Sequence, residues 1–152
     1  HLDTHDTMRA VTRCGSLDIF RQQQAVLMTL PGSPCIYYGT EIAMEGGHDP
    51  DCRKTMPWKQ IEAGEYEDHQ AFTKALIALR KTYPQLRDET VIWHHDPANP
   101  RLVCYDRPGK TETIRVYLNA TEKDIPLEAD SVFTYKYENG ILKSNGILIC
   151  KY

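Results

Sequence analysis

The segment over residues 31–41 constrains the fold of this chain more than any other stretch. A proline- and glycine-rich turn at residues 31–34 excludes a helix, because proline lacks an amide proton and glycine disfavours helical backbone. Residues 35–38 then form a short apolar run of strand-favouring side chains, and Gly39 opens a long polar loop. The pattern predicts a turn followed by a buried strand over residues 35–38, with Cys35 in the core.

A helix is predicted on each side of this strand. The first begins at Ser16, whose hydroxyl can cap the amino end, and stops at Leu30 before the turn. The second runs from Asp68 to Thr82, where apolar residues recur at helical spacing, and Pro84 ends it. Alternation of strand and helix is typical of an α/β protein, either part of a (β/α)8 barrel or another α/β sheet.

After residue 87 the pattern changes to short strands separated by turn signals. Asp-Pro, Asn-Pro, Pro-Gly and Asn-Gly pairs separate the apolar runs, and no helical spacing is present. Ile114, Val116 and Leu118 alternate with more polar side chains, so one face of that strand is predicted to be buried. This half of the chain is therefore predicted to be a small antiparallel β-sandwich. The predicted strands cover residues 90–94, 102–106, 113–119, 132–137 and 146–150.

Composition argues against two classes of partner. The net charge is −3 and 26% of the residues are charged, without the basic stripe that nucleic-acid phosphates attract. No apolar run approaches the roughly 20 residues that a membrane-spanning helix needs. We therefore expect neither a nucleic-acid partner nor a membrane. A chain of 152 residues can hold one ordinary domain or two small units.

The five cysteines include no CxxC pair and are odd in number, which indicates reduced thiols in a cytoplasmic protein. Cys104 lies in an apolar run and, like Cys35, is predicted to be a core residue. A zinc site built on His48 and Cys52 is an alternative for those two residues, but their spacing matches no recurrent metal pattern. We expect no cofactor.

Two polar motifs contain the candidate functional residues. The first is the pair His5-Asp6, and the second is the loop over residues 46–53, in which Asp49 and Arg53 lie four positions apart. On its own a His-Asp pair is most often a polar turn, and the Asp49–Arg53 pair can be a salt bridge that staples the loop. An ion-paired carboxylate and guanidinium also present acceptors and directed donors together, which suits the vicinal hydroxyls of a sugar.

Aromatic and acidic side chains accompany these motifs. Tyr38 and Trp58 can offer apolar faces on which a sugar ring stacks. Trp58 follows a Met-Pro pair and is interpreted first as a core residue of the loop. Glu41 is expected to brace the barrel base or a neighbouring loop, without a part in chemistry.

Together the motifs resemble the end of the catalytic barrel in the α-amylase family of glycoside hydrolases. His5-Asp6 resembles the last of the family's short signatures, at the carboxyl end of the seventh barrel strand. The loop over residues 46–53, with the Met-Pro-Trp that follows, resembles the branch that contains neopullulanase, cyclomaltodextrinase and maltogenic amylase. Thr4 departs from the family, which most often has Asn at that place.

The resemblance implies a fold class, a domain boundary and an activity. Residues 1–87 would be the carboxyl-terminal portion of a TIM barrel, from the end of strand 7 to helix 8, and residues 88–152 a Greek-key-like β-sandwich. The parent would be a retaining α-glycoside hydrolase acting on α-1,4- and α-1,6-glucans or maltooligosaccharides, such as starch, pullulan and cyclodextrin. The alternatives are a transglycosylase or isomerase of the same family, and a non-catalytic carbohydrate-binding or scaffolding relative.

The resemblance also implies roles for four residues. Asp6 would stabilise the transition state, and His5 would donate a hydrogen bond to the same sugar. Asp49 and Arg53 would bind the substrate beyond the cleaved residue. The nucleophile and the acid would lie upstream of His1, so the chain alone would be inactive and its barrel remnant open to self-association. A structural calcium ion in the parent is left open.

Overall fold

The computed structural model describes all 152 residues and divides them into two compact units. The first comprises His1–Leu27 with Pro34–Ile77, and the second Met28–Ser33 with Ala78–Tyr152. The helices are α1 (Ala10–Cys14), α2 (Leu17–Thr29), α3 (Trp58–Glu62) and α4 (Glu67–Thr82), and short 3-10 turns cover Thr40–Ile42, Asp51–Arg53 and Pro84–Arg87. The strands are β1 (Ile92–His94), β2 (Leu102–Pro108), β3 (Thr113–Asn119), β4 (Ile125–Pro126), β5 (Ser131–Glu138) and β6 (Ile141–Lys151). None of the helices has the length and apolar character that crossing a membrane requires.

Helix α2 confirms the first predicted helix. The hydroxyl of Ser16 accepts a hydrogen bond from the amide of Ile19 at 3.4 Å, as an amino-terminal cap does. Asp18 lies in the first turn, where a negative charge favours the helix dipole. Phe20 and Ala25 are fully buried, so one face of the helix packs into the core.

The predicted strand over residues 35–38 is wrong. These residues belong to no strand, and Cys35 is exposed, whereas we expected it in the core. An apolar run becomes a strand only where a neighbouring segment supplies the ladder hydrogen bonds, and none of the six strands pairs with it. The segment ends in a turn instead, because the carbonyl of Tyr37 accepts the amide of Thr40 at 3.0 Å.

Helix α4 confirms the second predicted helix and carries a buried histidine. Leu76 is fully buried on this helix, and His69 is 4% exposed. The imidazole of His69 stacks on the rings of Phe20 and Phe72, with centroids 5.4 Å and 5.8 Å away. Burial, reinforced by the nearby Arg21 guanidinium, lowers the pKa of His69 to about 4. His69 is therefore neutral near pH 7.

We expect this histidine to make the free energy of unfolding fall as the pH drops from about 7 to 4. A histidine in the unfolded chain has a pKa of about 6.5, so below that pH the unfolded state binds a proton that folded His69 does not take up. The stabilisation is complete above about pH 6.5 and is lost as the pH approaches the folded pKa. The full difference is on the order of 3 kcal/mol.

Urea unfolding at a series of pH values measures this effect. His69→Phe should flatten the slope between pH 6.5 and 4, because the ring stays apolar at every pH. His95→Gln, at an exposed position, is the matched control and should leave the slope unchanged. An equally steep slope in His69→Phe would show that other groups cause it.

The second unit is built on one antiparallel sheet of six strands. The order is β1-β2-β3-β6-β4, and β5 also pairs with β6. Tyr105 of β2 lies opposite Val116 of β3, which in turn lies opposite Ile149 of β6. These three side chains are fully buried, as is Ile114. The burial confirms the alternation predicted for residues 113–119.

All five predicted strands are confirmed as members of this sheet. Strand β4 was not predicted, because its two residues leave no readable pattern, and β6 is longer than predicted. Register shifts between Ser131 and Phe133 and between Tyr135 and Tyr137 interrupt the pairing of β5 with β6. All six strands nevertheless belong to the same hydrogen-bonded sheet. The division into a barrel end and a sandwich stays a prediction.

Arg107 of β2 is fully buried and donates to backbone carbonyls. Its Nε lies 2.9 Å from the carbonyl oxygen of Thr90, and its Nη2 lies 2.9 Å from that of Gln85. The same guanidinium also donates to the carbonyls of Thr29 and Asp88. Burial lowers the pKa of Arg107, but an arginine remains charged at neutral pH. One side chain thus satisfies carbonyls from several irregular segments.

Replacing Arg107 by methionine should lower the free energy of unfolding by about 2 to 4 kcal/mol. The buried carbonyls lose their donor, and each unsatisfied polar group is costly. Chemical denaturation of the chain measures the change. Arg101→Met, at an exposed position of the same unit, should stay within about 0.5 kcal/mol of the unchanged chain. A similar loss in both variants would contradict the anchoring role.

Candidate functional site

The four residues singled out in the sequence lie together in the first unit, with Arg53 at their centre. Arg53 Nε lies 2.8 Å from Asp49 Oδ1, and Arg53 Nη2 lies 3.6 Å from Asp6 Oδ1. Arg53 Nε also donates to the backbone carbonyl of His5 at 2.9 Å. One guanidinium therefore joins the two motifs, which are more than forty positions apart in the chain.

His5 and Asp6 form a polar turn whose side chains face solvent. The imidazole Nε2 of His5 lies 3.1 Å from Asp6 Oδ2, and the two side chains are 62% and 66% exposed. Thr4 organises the turn, because its hydroxyl accepts the amide of Asp6 at 3.2 Å and lies 3.2 Å from the hydroxyl of Thr7. The simplest interpretation of the pair, a turn, is correct as local structure, and the turn leaves both functional groups accessible.

The loop that carries Asp49 and Arg53 is shaped by a second carboxylate. The side chain of Asp51 accepts the amide of Gly47 and lies 3.2 Å from Lys54 Nζ. Two hydrogen bonds lower the pKa of Asp51, and the one from the Gly47 amide has a larger effect than the one from Lys54. This bracing closes the loop into the 3-10 turn Asp51–Arg53, which sets the direction of the guanidinium.

Cys52 belongs to the same contact and was not assigned to it from the sequence. Its side chain is buried, and Sγ lies 3.2 Å from the carbonyl oxygen of His5. The thiol and the Arg53 Nε therefore share one acceptor. No group of three or more His, Cys, Asp or Glu side chains is arranged to hold a metal ion.

Asp3 is a buried carboxylate that sequence reasoning missed. It is 3% exposed, and its two oxygens accept hydrogen bonds from the amide of Ala10 and the hydroxyl of Thr40, the latter at 2.7 Å. The first bond satisfies an amide at the start of α1. Asp3 thus fixes the chain on both sides of His5-Asp6. The sequence offered one signal for Asp3, an acidic residue that precedes a helix. That signal is weak, because acidic residues are common in polar loops.

The aromatic side chains of Trp58 and Tyr38 are both accessible to solvent. Trp58 is 64% exposed, so its interpretation as a core residue of the loop is wrong. It opens helix α3, none of whose residues is buried. Tyr38 is 37% exposed, and its hydroxyl donates to the carbonyl of Lys54 at 2.9 Å. Both rings offer surface to solvent.

Comparison with known proteins places this chain in a family. The model of the α-amylase catalytic domain matches residues 1–96, which contain all four site residues. This chain belongs to the α-amylase family. The matched region ends just beyond strand β1.

Individual members of the α-amylase family agree with this assignment. A cyclomaltodextrinase from Bacillus sp is 40% identical over 120 residues, covering 78% of this chain and 21% of the relative. Neopullulanase 2 from Thermoactinomyces vulgaris is 40% identical over 122 residues, covering 78% of this chain and 20% of the relative. The crystal structure of a maltogenic amylase from S. marinus superposes with a TM-score of 0.82 at 31% identity, over 97% of this chain and 21% of that one. The chain spans about a fifth of the length of these relatives.

Both interpretations of the Asp49–Arg53 pair fit the geometry. The guanidinium staples the loop to the segment that bears His5-Asp6, as a structural salt bridge does. It is also 47% exposed, so some of its N–H groups, and the free lone pairs of Asp49, face solvent. Such a set of donors and acceptors can bind vicinal hydroxyls while it holds the loop.

Removing the Arg53 guanidinium should loosen the loop. In Arg53→Ala, hydrogen exchange of the amides over residues 47–53 should become at least about tenfold faster, which corresponds to about 1.4 kcal/mol of lost protection. Hydrogen–deuterium exchange of the chain measures this. Lys59→Ala, at an exposed position of α3, is the control and should leave the loop unchanged. Unaltered exchange in Arg53→Ala would show that Asp51 alone shapes the loop.

Proposed function

We propose that this chain is part of a retaining α-glycoside hydrolase that acts on α-1,4- and α-1,6-glucans or maltooligosaccharides. The observation that carries the proposal is the convergence of Asp6 and His5 with Asp49 and Arg53 inside the region matched by the catalytic-domain model. The names cyclomaltodextrinase, neopullulanase and maltogenic α-amylase, borne by relatives, support cyclodextrin, pullulan and starch-derived oligosaccharides as substrates.

In this proposal Asp6 stabilises the transition state. Its carboxylate is mostly solvent-accessible and has acceptor lone pairs left after the contacts with His5 and Arg53. As a sugar ring flattens toward an oxocarbenium ion, its hydroxyls shift, and a fixed carboxylate can bind the shifted positions better than the original ones. His5, held 3.1 Å from that carboxylate, donates to the same sugar.

Asp49 and Arg53 bind substrate away from the cleaved bond. Their ion pair fixes both groups before substrate arrives, so less side-chain entropy is lost on binding. The exposed face of Trp58 lies five residues further along the chain and is a candidate surface for sugar stacking.

The chain itself supplies neither the nucleophile nor the acid in this proposal. Retaining hydrolysis needs two carboxyl groups about 5 to 5.5 Å apart on either side of the glycosidic bond. Asp6 and Asp49 both contact the one Arg53 guanidinium, and the proposal gives neither of them the part of nucleophile or acid. The nucleophile and acid are assigned to the part of the relatives' length that this chain does not span. We expect no hydrolysis from the chain alone.

The organisation proposed for the chain follows the same resemblance. Residues 1–87 form the end of the catalytic barrel and residues 88–152 the domain after it, for which the antiparallel sheet is the support. The exposed apolar side chains Leu17 and Ile19 support self-association of the isolated chain.

A relative named intracellular maltogenic amylase, from Bacillus subtilis and 48% identical over 81 residues, supports an intracellular location.

Asp6→Asn in the full-length protein that contains this chain should lower kcat on cyclodextrin by at least about 10² to 10³. The loss of one charge that favours the transition state has that size at a preorganised site. The control is Asp124→Asn, which removes an exposed carboxylate paired with Lys143 in the second unit and should keep full activity. A full-length protein that binds cyclodextrin but never cleaves it would favour a non-catalytic relative, and near-full kcat in Asp6→Asn would refute the role of Asp6.

A further inference from the structure

Both backbone groups of Gly46, the amide and the carbonyl, form hydrogen bonds with the segment that follows His5-Asp6. Its amide donates to the hydroxyl of Thr12 at 2.9 Å, and its carbonyl accepts the amide of Arg9 at 2.9 Å. Gly46 is buried. The start of the loop that carries Asp49 and Arg53 is therefore fastened directly to helix α1 and the residue before it.

The space around Gly46 admits no side chain. A Cβ atom built there would lie 2.8 Å from the carbonyl oxygen of Asp51, 3.2 Å from Cα of Cys52 and 3.0 Å from Cγ of Arg9. Two of these three atoms are backbone atoms of the turn that ends in Arg53, and backbone cannot move aside as a flexible side chain can. At Gly46 the glycine is thus required by close approach between two segments.

Arg9 forms the other side of this contact. It is fully buried without a carboxylate partner, and its Nη1 donates to the carbonyl of Tyr38 at 2.6 Å. Its guanidinium carbon lies 4.5 Å and 4.8 Å from the ring centroids of Tyr37 and Tyr38, and Nη2 lies 3.6 Å from Sδ of Met44. A buried charge held by rings and one carbonyl contributes little net stability, because its desolvation is costly. Its position is better explained by the geometry it imposes.

We propose that Gly46 and Arg9 are positioning residues that set the distance at which Arg53 meets His5 and Asp6. A small displacement of Arg53 would break its contacts, because Nε lies 2.9 Å from the His5 carbonyl oxygen and Nη2 lies 3.6 Å from Asp6 Oδ1. Pushing the turn Asp51–Arg53 outward by a methyl group lengthens both distances. The consequence for catalysis rests on the proposed function, whereas the geometric claim does not.

Gly46→Ala and Gly47→Ala form a matched pair for the test. A Cβ at Gly47 meets only the flexible carboxylate of Asp51, at 3.3 Å, and neither glycine has a left-handed backbone. The two variants add the same methyl group at adjacent positions. Only Gly46→Ala should displace the turn.

The first readout is the side-chain Nε–H signal of Arg53 in nuclear magnetic resonance spectra of the chain. In Gly46→Ala this signal should shift, and its exchange with water should become at least about tenfold faster, as its contacts with His5 and Asp49 open. In Gly47→Ala it should be unchanged. If Gly46→Ala does not fold, Arg9→Lys replaces it, because a lysine keeps the charge but cannot stack on two rings and reach the Tyr38 carbonyl in the same way. An unchanged Arg53 signal in a folded variant would overturn the proposal.

The second readout is kinetic and uses the full-length protein that contains this chain. Gly46→Ala should lower kcat on cyclodextrin by about 10- to 100-fold at temperatures well below its unfolding, because a misplacement near 1 Å has that effect. A merely structural glycine would lower the unfolding temperature and leave kcat intact, and that result would overturn the catalytic part. If the unchanged protein cleaves no glucan, the proposed function fails, while the Arg53 signal still decides the geometric claim.

Discussion

Guanidinium groups that donate to backbone carbonyls hold this molecule together. Irregular backbone cannot satisfy its own carbonyl groups, and those groups must be paired when they are buried. Arg107 serves several such carbonyls around β2, and Arg80 donates to those of Met28, Leu30 and Leu86 at 2.8 to 2.9 Å. Arg9 and Arg53 do the same in the first unit. Arginine suits the task because its planar fork carries five donors in fixed directions.

This use of arginine also explains how the candidate site is assembled. Arg53 is part of the site and part of the scaffold, since the same Nε–H reaches the His5 carbonyl and the Asp49 carboxylate. The positions of Asp6 and Asp49 are therefore linked through one side chain. A site whose groups hold each other in place loses less freedom when a ligand binds, which is the physical basis of preorganisation.

The sequence predicted the regular elements well and the strand at residues 35–38 wrongly, for related reasons. Helix α4 and strand β3 carry periodic apolar patterns, and local periodicity reports the face that a segment buries. Residues 35–38 are also apolar, but a strand depends on a partner that a local pattern does not contain. Trp58 was misjudged similarly, because nothing in its neighbours reveals that helix α3 buries no residue.

The site shows the same division between local pattern and tertiary contact. By itself the sequence singled out the residues that we propose carry the chemistry, because His5, Asp6, Asp49 and Arg53 stand in motifs that resemble a known family. It could not determine that Arg53 bridges the two motifs, that Asp3 is buried against Ala10 and Thr40, or that a side chain at Gly46 would collide with the carbonyl oxygen of Asp51. Those contacts join residues far apart in the chain, and only the folded backbone brings them within a few ångströms of one another.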